Sequence, residues 1–165
     1  MSAFPETPFG PADRLDLDPV PLAVIRHEGI TISDLRDVFD RGYRALGATF
    51  ASGALAPTGP ALAIYRGDPM AVFDLELGFP VVQAPTAPID VPDGPPITAS
   101  VLPSGPATAT TYLGSYEGLG PAWMGLVERT LAQGVQPRGI SIEVYVSDPG
   151  SASEELRTDL VLPLD

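Results

Sequence analysis

The sequence predicts an α+β fold made by tandem duplication of a β-α-β-β unit, and three observations predict it. The strings Tyr65-Arg66-Gly67-Asp68-Pro69 and Tyr145-Val146-Ser147-Asp148-Pro149 repeat a Tyr-x-x-Asp-Pro core 80 positions apart. Each follows a stretch of helical periodicity closed by a Pro-x-Gly string, Pro57-Thr58-Gly59 in one copy and Pro137-Arg138-Gly139 in the other. Each precedes a second apolar run, Asp74–Val81 or Arg157–Leu164. Two such units predict a curved, barrel-like antiparallel sheet with both helices on one side, and a ligand cleft on the axis between the halves.

The elements follow in order. Residues 1–13 hold Pro5, Pro8, Gly10 and Pro11 with little periodicity and read as a mobile arm. Residues 14–165 read as a single domain, with repeat one at about 14–82, a linker at 83–96 and repeat two at about 97–165. Within Leu15–His27, the run Pro19–Ile25 reads as an edge strand, because proline cannot donate inside a ladder. Thr31 opens a helix with Asp34 as its capping partner, and Leu35, Phe39, Tyr43, Leu46 and Phe50 form one apolar stripe before Gly53. Strands at 61–66 and 71–81 join at Gly67-Asp68-Pro69. The linker carries five prolines, at 85, 88, 92, 95 and 96.

The second copy opens with strands at 97–102 and 107–112. Its helix uses Leu119, Trp123, Leu126, Val127, Thr130 and Leu131, with Pro121 in the first turn and Gly134 as the C-terminal cap. Strands at 141–146 and 156–162 finish it.

Composition limits the chemistry. Without cysteine there are no disulfides, thiolate nucleophiles or cysteine-ligated metals, and a single histidine excludes a histidine-rich metal centre. No metal or other cofactor is expected. The net charge of −12, with nine arginines and no lysine, disfavours nucleic acid and anionic membranes and favours a cationic ligand or a basic protein partner. The same charge also serves solubility alone. No apolar run reaches the length of a membrane span and no signal-peptide pattern opens the chain, so a cytoplasmic protein is the expectation.

Strand alternation singles out Glu143. In Ser141–Val146, Ile142, Val144 and Val146 point one way, expected toward the helices, while Glu143 and Tyr145 share the other face. Ala63 and Tyr65 occupy the matching positions of the first copy, so the duplication places two tyrosines but only one carboxylate across the cleft. A carboxylate among aromatic rings suits a flat organic cation, and it equally suits acid–base work. An ordinary half-exposed Glu–Tyr pair accounts for the pattern as well.

Other candidates have two readings each. Trp123 is core or pocket floor. Tyr112 and its counterpart His27 end the first strand of each copy, at the cleft ends or simply at the surface. Tyr116 gates the cleft or staples the helix, and Glu76 is a second carboxylate at the rim or a solvated side chain.

The strings His27-Glu28-Gly29, Tyr65–Pro69, Asp74–Pro80, Leu113–Leu119, Glu143–Pro149 and Glu155–Asp159 with Pro163 resemble the GyrI-like small-molecule-binding domains. These also serve as effector-binding domains of AraC-type and MerR-type multidrug-responsive regulators. The resemblance covers about residues 15–164. It implies a tandem β-α-β-β fold whose cleft glutamate, here Glu143, contacts cationic and often aromatic ligands. Some stand-alone members of the family look like hydrolases of cyclopropane-bearing alkylators.

The chain shows no helix-turn-helix segment, so a regulatory role would need another chain to contact DNA. The leading expectation is a stand-alone binder of amphipathic or cationic drug-like molecules. A hydrolase using Glu143 and Tyr145 in the same cleft is the alternative. An acidic inhibitor of a DNA-handling enzyme, acting by direct contact, is the third.

Overall fold

The computed structural model describes residues 4–92, 94–147 and 156–165. Asp148 and Pro149 of the second Tyr motif, and Glu155, lie outside them. The described chain forms strands β1 (Asp13–Leu17) and β2 (Pro21–Ile30), helix α1 (Leu35–Ala51), then β3 (Ala61–Gly67) and β4 (Phe73–Pro80). It continues with β5 (Ile97–Val101), β6 (Gly105–Leu113), helix α2 (Leu119–Ala132), β7 (Ile140–Tyr145) and β8 (Arg157–Pro163). A 3-10 turn leads into each helix, at Ile32–Asp34 and Tyr116–Gly118.

The described chain divides into two units. One comprises residues 19–102, the other residues up to 18 together with 103–165. The second is called unit 1 below, because it holds β1, and the first is unit 2. Unit 1 orders its strands β1-β6-β8-β7, and unit 2 orders its own β5-β2-β4-β3. All pairs within each unit are antiparallel. The two orders are one topology: an extra edge strand, then the first, third and second strands of a β-α-β-β unit.

Fine details repeat too. Isolated bridges join Pro57 to Val81 and Pro137 to Leu164. Thr58 N–H donates to the Pro80 carbonyl as Arg138 N–H does to that of Pro163, both at 2.9 Å. Gly53 and Gly134, at φ +83° and +80°, end the two helices in the left-handed region that glycine enters without strain.

The edge strands belong to the unit that chain order would not assign them. β5 follows the proline-rich stretch yet pairs with β2, and β1 precedes β2 yet pairs with β6. This corrects the expected edge position of Pro19–Ile25. β2 is interior, between β4 and β5, because Pro21 stands at its first residue and Pro19 lies outside the ladder. The proline-rich stretch itself packs on unit 2, where Ile89 and Val91 rest against a core of Ala23, Ile25, Leu46, Val81 and Ile97.

Each helix covers one face of its own sheet. In unit 2, α1 lies so close to β4 that a Cβ at Gly42 would sit 2.8 Å from Leu77 Cδ1, and the Tyr43 and Phe79 rings meet edge to face. The Asp34 carboxylate accepts the Thr31 backbone N–H at 2.9 Å, as the capping pattern requires. In unit 1, Leu126 of α2 packs on Leu160 and Leu162 of β8, flanked by Leu119, Ala122, Trp123 and Val127. Full burial of Leu46 or Leu126 contributes about 1.5–3 kcal/mol each.

Residues 5–12 carry no regular secondary structure and lie against unit 1 through hydrogen bonds. Arg157 donates to the carbonyls of Glu6 (2.7 Å) and Pro5 (3.1 Å), Phe9 N–H donates to Thr111 Oγ1 (2.8 Å), and Arg129 donates to the Pro11 carbonyl (2.8 Å).

Candidate ligand-binding site

The register of β7 on β8 decides where Glu143 points. Glu143 pairs with Leu160 and Tyr145 with Thr158, and paired residues share a face. Leu160 lies under α2, so Glu143 and Tyr145 face α2. This corrects the expectation that they occupy the face the helix leaves uncovered. Ile142, Val144 and Val161, on the far face, are at most 1 % exposed. Alternation separates two faces, but when both are buried it does not tell which one receives the helix.

Glu143 is only 6 % exposed. Trp123 of α2 donates its indole N–H to Oε2 at 2.8 Å, and Tyr145 donates its hydroxyl to Oε1 at 2.6 Å. Both donors are neutral, and together they orient the carboxylate.

Tyr116, in the turn before α2, stands edge-on to Tyr145 with ring centroids 6.0 Å apart. Burial first, and the Glu143 charge second, push its phenol above the usual tyrosine range. It therefore stays protonated beside the carboxylate.

Two more groups complete the neighbourhood in unit 1. The Tyr112 hydroxyl packs against Gly114 and Gly118, and a Cβ at Gly118 would collide with it. Tyr112 and Tyr145 both pair with Thr158, so all three share the α2 face. Thr158 is fully buried, and its hydroxyl has no hydrogen-bond partner among the described residues. Sequence reasoning missed both Gly118 and Thr158. The alternation of Arg157, Thr158 and Asp159 held a signal for Thr158, because it places the threonine between two charged residues and on the opposite face.

The candidates in unit 2 divide between its two faces. Tyr65 and His27 both pair with Leu75 and lie on the α1 face, where the Tyr65 and Phe73 rings are 5.6 Å apart. Burial pushes the His27 imidazole below its usual range. Ala63, at the position matching Glu143, is fully buried.

Glu76 points to the opposite face, 4 % exposed, accepting from Ser100 Oγ at 2.6 Å and Arg66 Nε at 3.2 Å. It is a buried, ion-paired group and not a solvated one. Asp159 at the matching position of unit 1 is held likewise by Thr111 at 2.7 Å and Arg157 at 2.9 Å. Glu143, Tyr145, Trp123, Tyr116 and Tyr112 are thus gathered in unit 1, Tyr65 and His27 share one face of unit 2, and Glu76 stands apart from both. Among the described residues, no group of three or more His, Asp or Glu is placed to hold a metal ion, and no helix is long and apolar enough to cross a membrane.

A family model described as a GyrI-like small molecule binding domain matches residues 14–165. Among solved structures, the EcmrR C-terminal domain aligns with a TM-score of 0.73 at 17% identity, covering 93% of this chain and 96% of that one. SAV2435 bound to tetraphenylphosphonium aligns with a TM-score of 0.66 at 13% identity, covering 93% of each chain. A hydrolase from Listeria innocua aligns with a TM-score of 0.62 at 13% identity, covering 97% of this chain and 94% of that one. At such identities the likeness is one of fold. No curated protein matches the sequence.

Proposed function

The chain belongs to the family of GyrI-like small molecule binding domains, and from that premise we propose that its ligand is an amphipathic or flat organic cation received beside Glu143. One observation carries this reading: a buried carboxylate oriented by two neutral donors, with tyrosine rings around it. In a poorly solvated setting the attraction between a carboxylate and a cation is strongest. The rings add dispersion and cation–π attraction. The Thr158 hydroxyl offers a donor to a polar atom of the ligand. Tetraphenylphosphonium, bound by the structural relative SAV2435, is the natural first probe.

Residues 14–165 act as the binding domain in this reading. The net charge of −12 over the 165 residues disfavours direct contact of this domain with nucleic acid.

Trp123 is the only tryptophan, so its fluorescence reports directly on the site. A cation reaching Glu143 exchanges the indole hydrogen bond for its own contact. Titration with tetraphenylphosphonium should therefore give a saturable change in emission. A flat titration, with no heat of binding for a panel of aromatic cations, would remove the proposal.

A hydrolytic reading has one observation in its favour. Tyr116 is a phenol held protonated beside Glu143, which pairs a proton donor with a base. Turnover of a cyclopropane-bearing electrophile that is abolished by both Glu143→Gln and Tyr116→Phe would favour it.

A further inference from the structure

Unit 2 contains a cavity of about 370 Å³ that includes none of the residues around Glu143. Its volume is at the lower end of the range for small-molecule sites, about 300–1,000 Å³. The floor and walls are apolar: Ile25 from β2, Val38, Ala45 and Ala48 from α1, and Val91 and Pro95 from the proline-rich stretch. That outer wall is pinned at its neck. Ile89 N–H donates to the Ile97 carbonyl at 2.9 Å, and Ile97 N–H donates back at 2.8 Å. The rings of Pro92 and Pro95 fix the φ of those two residues, which lowers the ordering cost of the wall on binding.

Among the described residues, the charged groups lining the cavity are Arg41, Arg44 and Asp37, and His27 also reaches it. Arg41 and Arg44 lie three residues apart on α1 and so project side by side. The ion pairs of unit 2 use Arg26 and Arg66, and neither Arg41 nor Arg44 takes part in one among the described residues. Among the described lining residues, two guanidinium groups stand against one carboxylate, on a chain whose net charge is −12. Burial lowers the affinity of His27 for a proton, so the imidazole is neutral at pH 7 and available as a hydrogen-bond donor.

We propose that this cavity is a second binding site and takes a small apolar carboxylate, with its hydrocarbon body inside and its carboxylate on Arg41 and Arg44. Planar guanidinium forks match a carboxylate in two-point contact, and the apolar walls select for an aromatic or branched aliphatic body. The proposal does not depend on the ligand of Glu143.

The probe is 2-naphthoate, followed by isothermal titration and saturation-transfer NMR, with 2-naphthylmethylammonium as the charge-reversed control. Naphthoate should bind the native protein. The double change Arg41→Gln and Arg44→Gln, at exposed helix positions, should weaken it at least tenfold. Ala48→Phe, which fills the cavity, should abolish it. Circular dichroism checks that both variants fold. Saturating tetraphenylphosphonium should leave naphthoate in place. Absence of naphthoate binding, equal binding of the ammonium, affinity unaltered in both variants, or displacement by tetraphenylphosphonium would each overturn the proposal.

Discussion

Replacing Glu143 with Gln removes one charge and little else. The shape is conserved, and the amide oxygen can still accept the Trp123 indole N–H, although Tyr145 must turn to meet the new NH₂ group. The loss in affinity for an organic cation is therefore mostly coulombic. With Glu143 buried, an effective dielectric near 20 and a charge separation of about 5 Å give an attraction of about 3 kcal/mol. The amide dipole recovers part of this, so the expected loss is about 1.4–3 kcal/mol, or roughly tenfold to 150-fold in Kd. Tetraphenylphosphonium titrated against native protein and Glu143→Gln, read by Trp123 fluorescence and calorimetry, measures it. Because the pair is buried, the ratio of the two affinities should change little with added salt. Affinities within about threefold of each other for several cations would refute the reasoning.

Three further predictions concern stability. Arg157→Met leaves the fully buried Asp159 carboxylate without its guanidinium and releases the carbonyls of Pro5 and Glu6. Urea unfolding should show a loss of about 3–5 kcal/mol, and a loss under about 1 kcal/mol contradicts the assigned role. Thr158→Val removes a buried hydroxyl that has no partner among the described residues. The variant should unfold at higher urea, by about 1 kcal/mol; destabilisation would mean that the hydroxyl is already satisfied. Tyr116 titrates above 10.0 in the folded state, so its contribution is present below pH 10.0 and is lost as pH rises through the folded value. Melting temperatures between about pH 9 and about pH 11 should fall less steeply in Tyr116→Phe than in the native protein, and parallel curves count against the shift.

Most of the fold was legible because its signals are local. The stripe from Leu35 to Phe50 places α1, and Gly53 and Gly134 mark both helix ends, each conformation being set within one or two turns. The repeated Pro-x-Gly strings anticipate the matching bridges at Pro57 and Pro137. Partner choice between strands was not legible. The span Leu15–His27 offers one edge strand, at Pro19–Ile25, yet it holds the end of β1 and the start of β2, strands of different units. Nothing local says that β5 will complete β2 and that β1 will complete β6, since pairing of distant strands depends on which edge is left unsatisfied.

The site divides along the same line. Alternation alone put Glu143 and Tyr145 together, and comparison with Ala63 marked the carboxylate as the position where the two copies differ. The Trp123 contact to Glu143 joins residues 20 positions apart on different elements, so it depends on how α2 seats on β8. The cavity beneath Arg41 and Arg44 likewise exists only because Val91 and Pro95 fold back over α1.

By itself, the sequence determined the duplicated α+β unit, its helix ends and the pairing of Glu143 with Tyr145 on one strand face. These follow from periodicities of two and 3.6 and from the backbone limits of glycine and proline. Only the tertiary structure decided that this face meets α2, that Trp123 and Tyr145 hold the carboxylate, and that Glu76 is buried in an ion pair. The reason is physical. A strand's alternation is the same whichever face the helix covers, so the choice rests with long-range packing of α2 on Leu160 and Leu162.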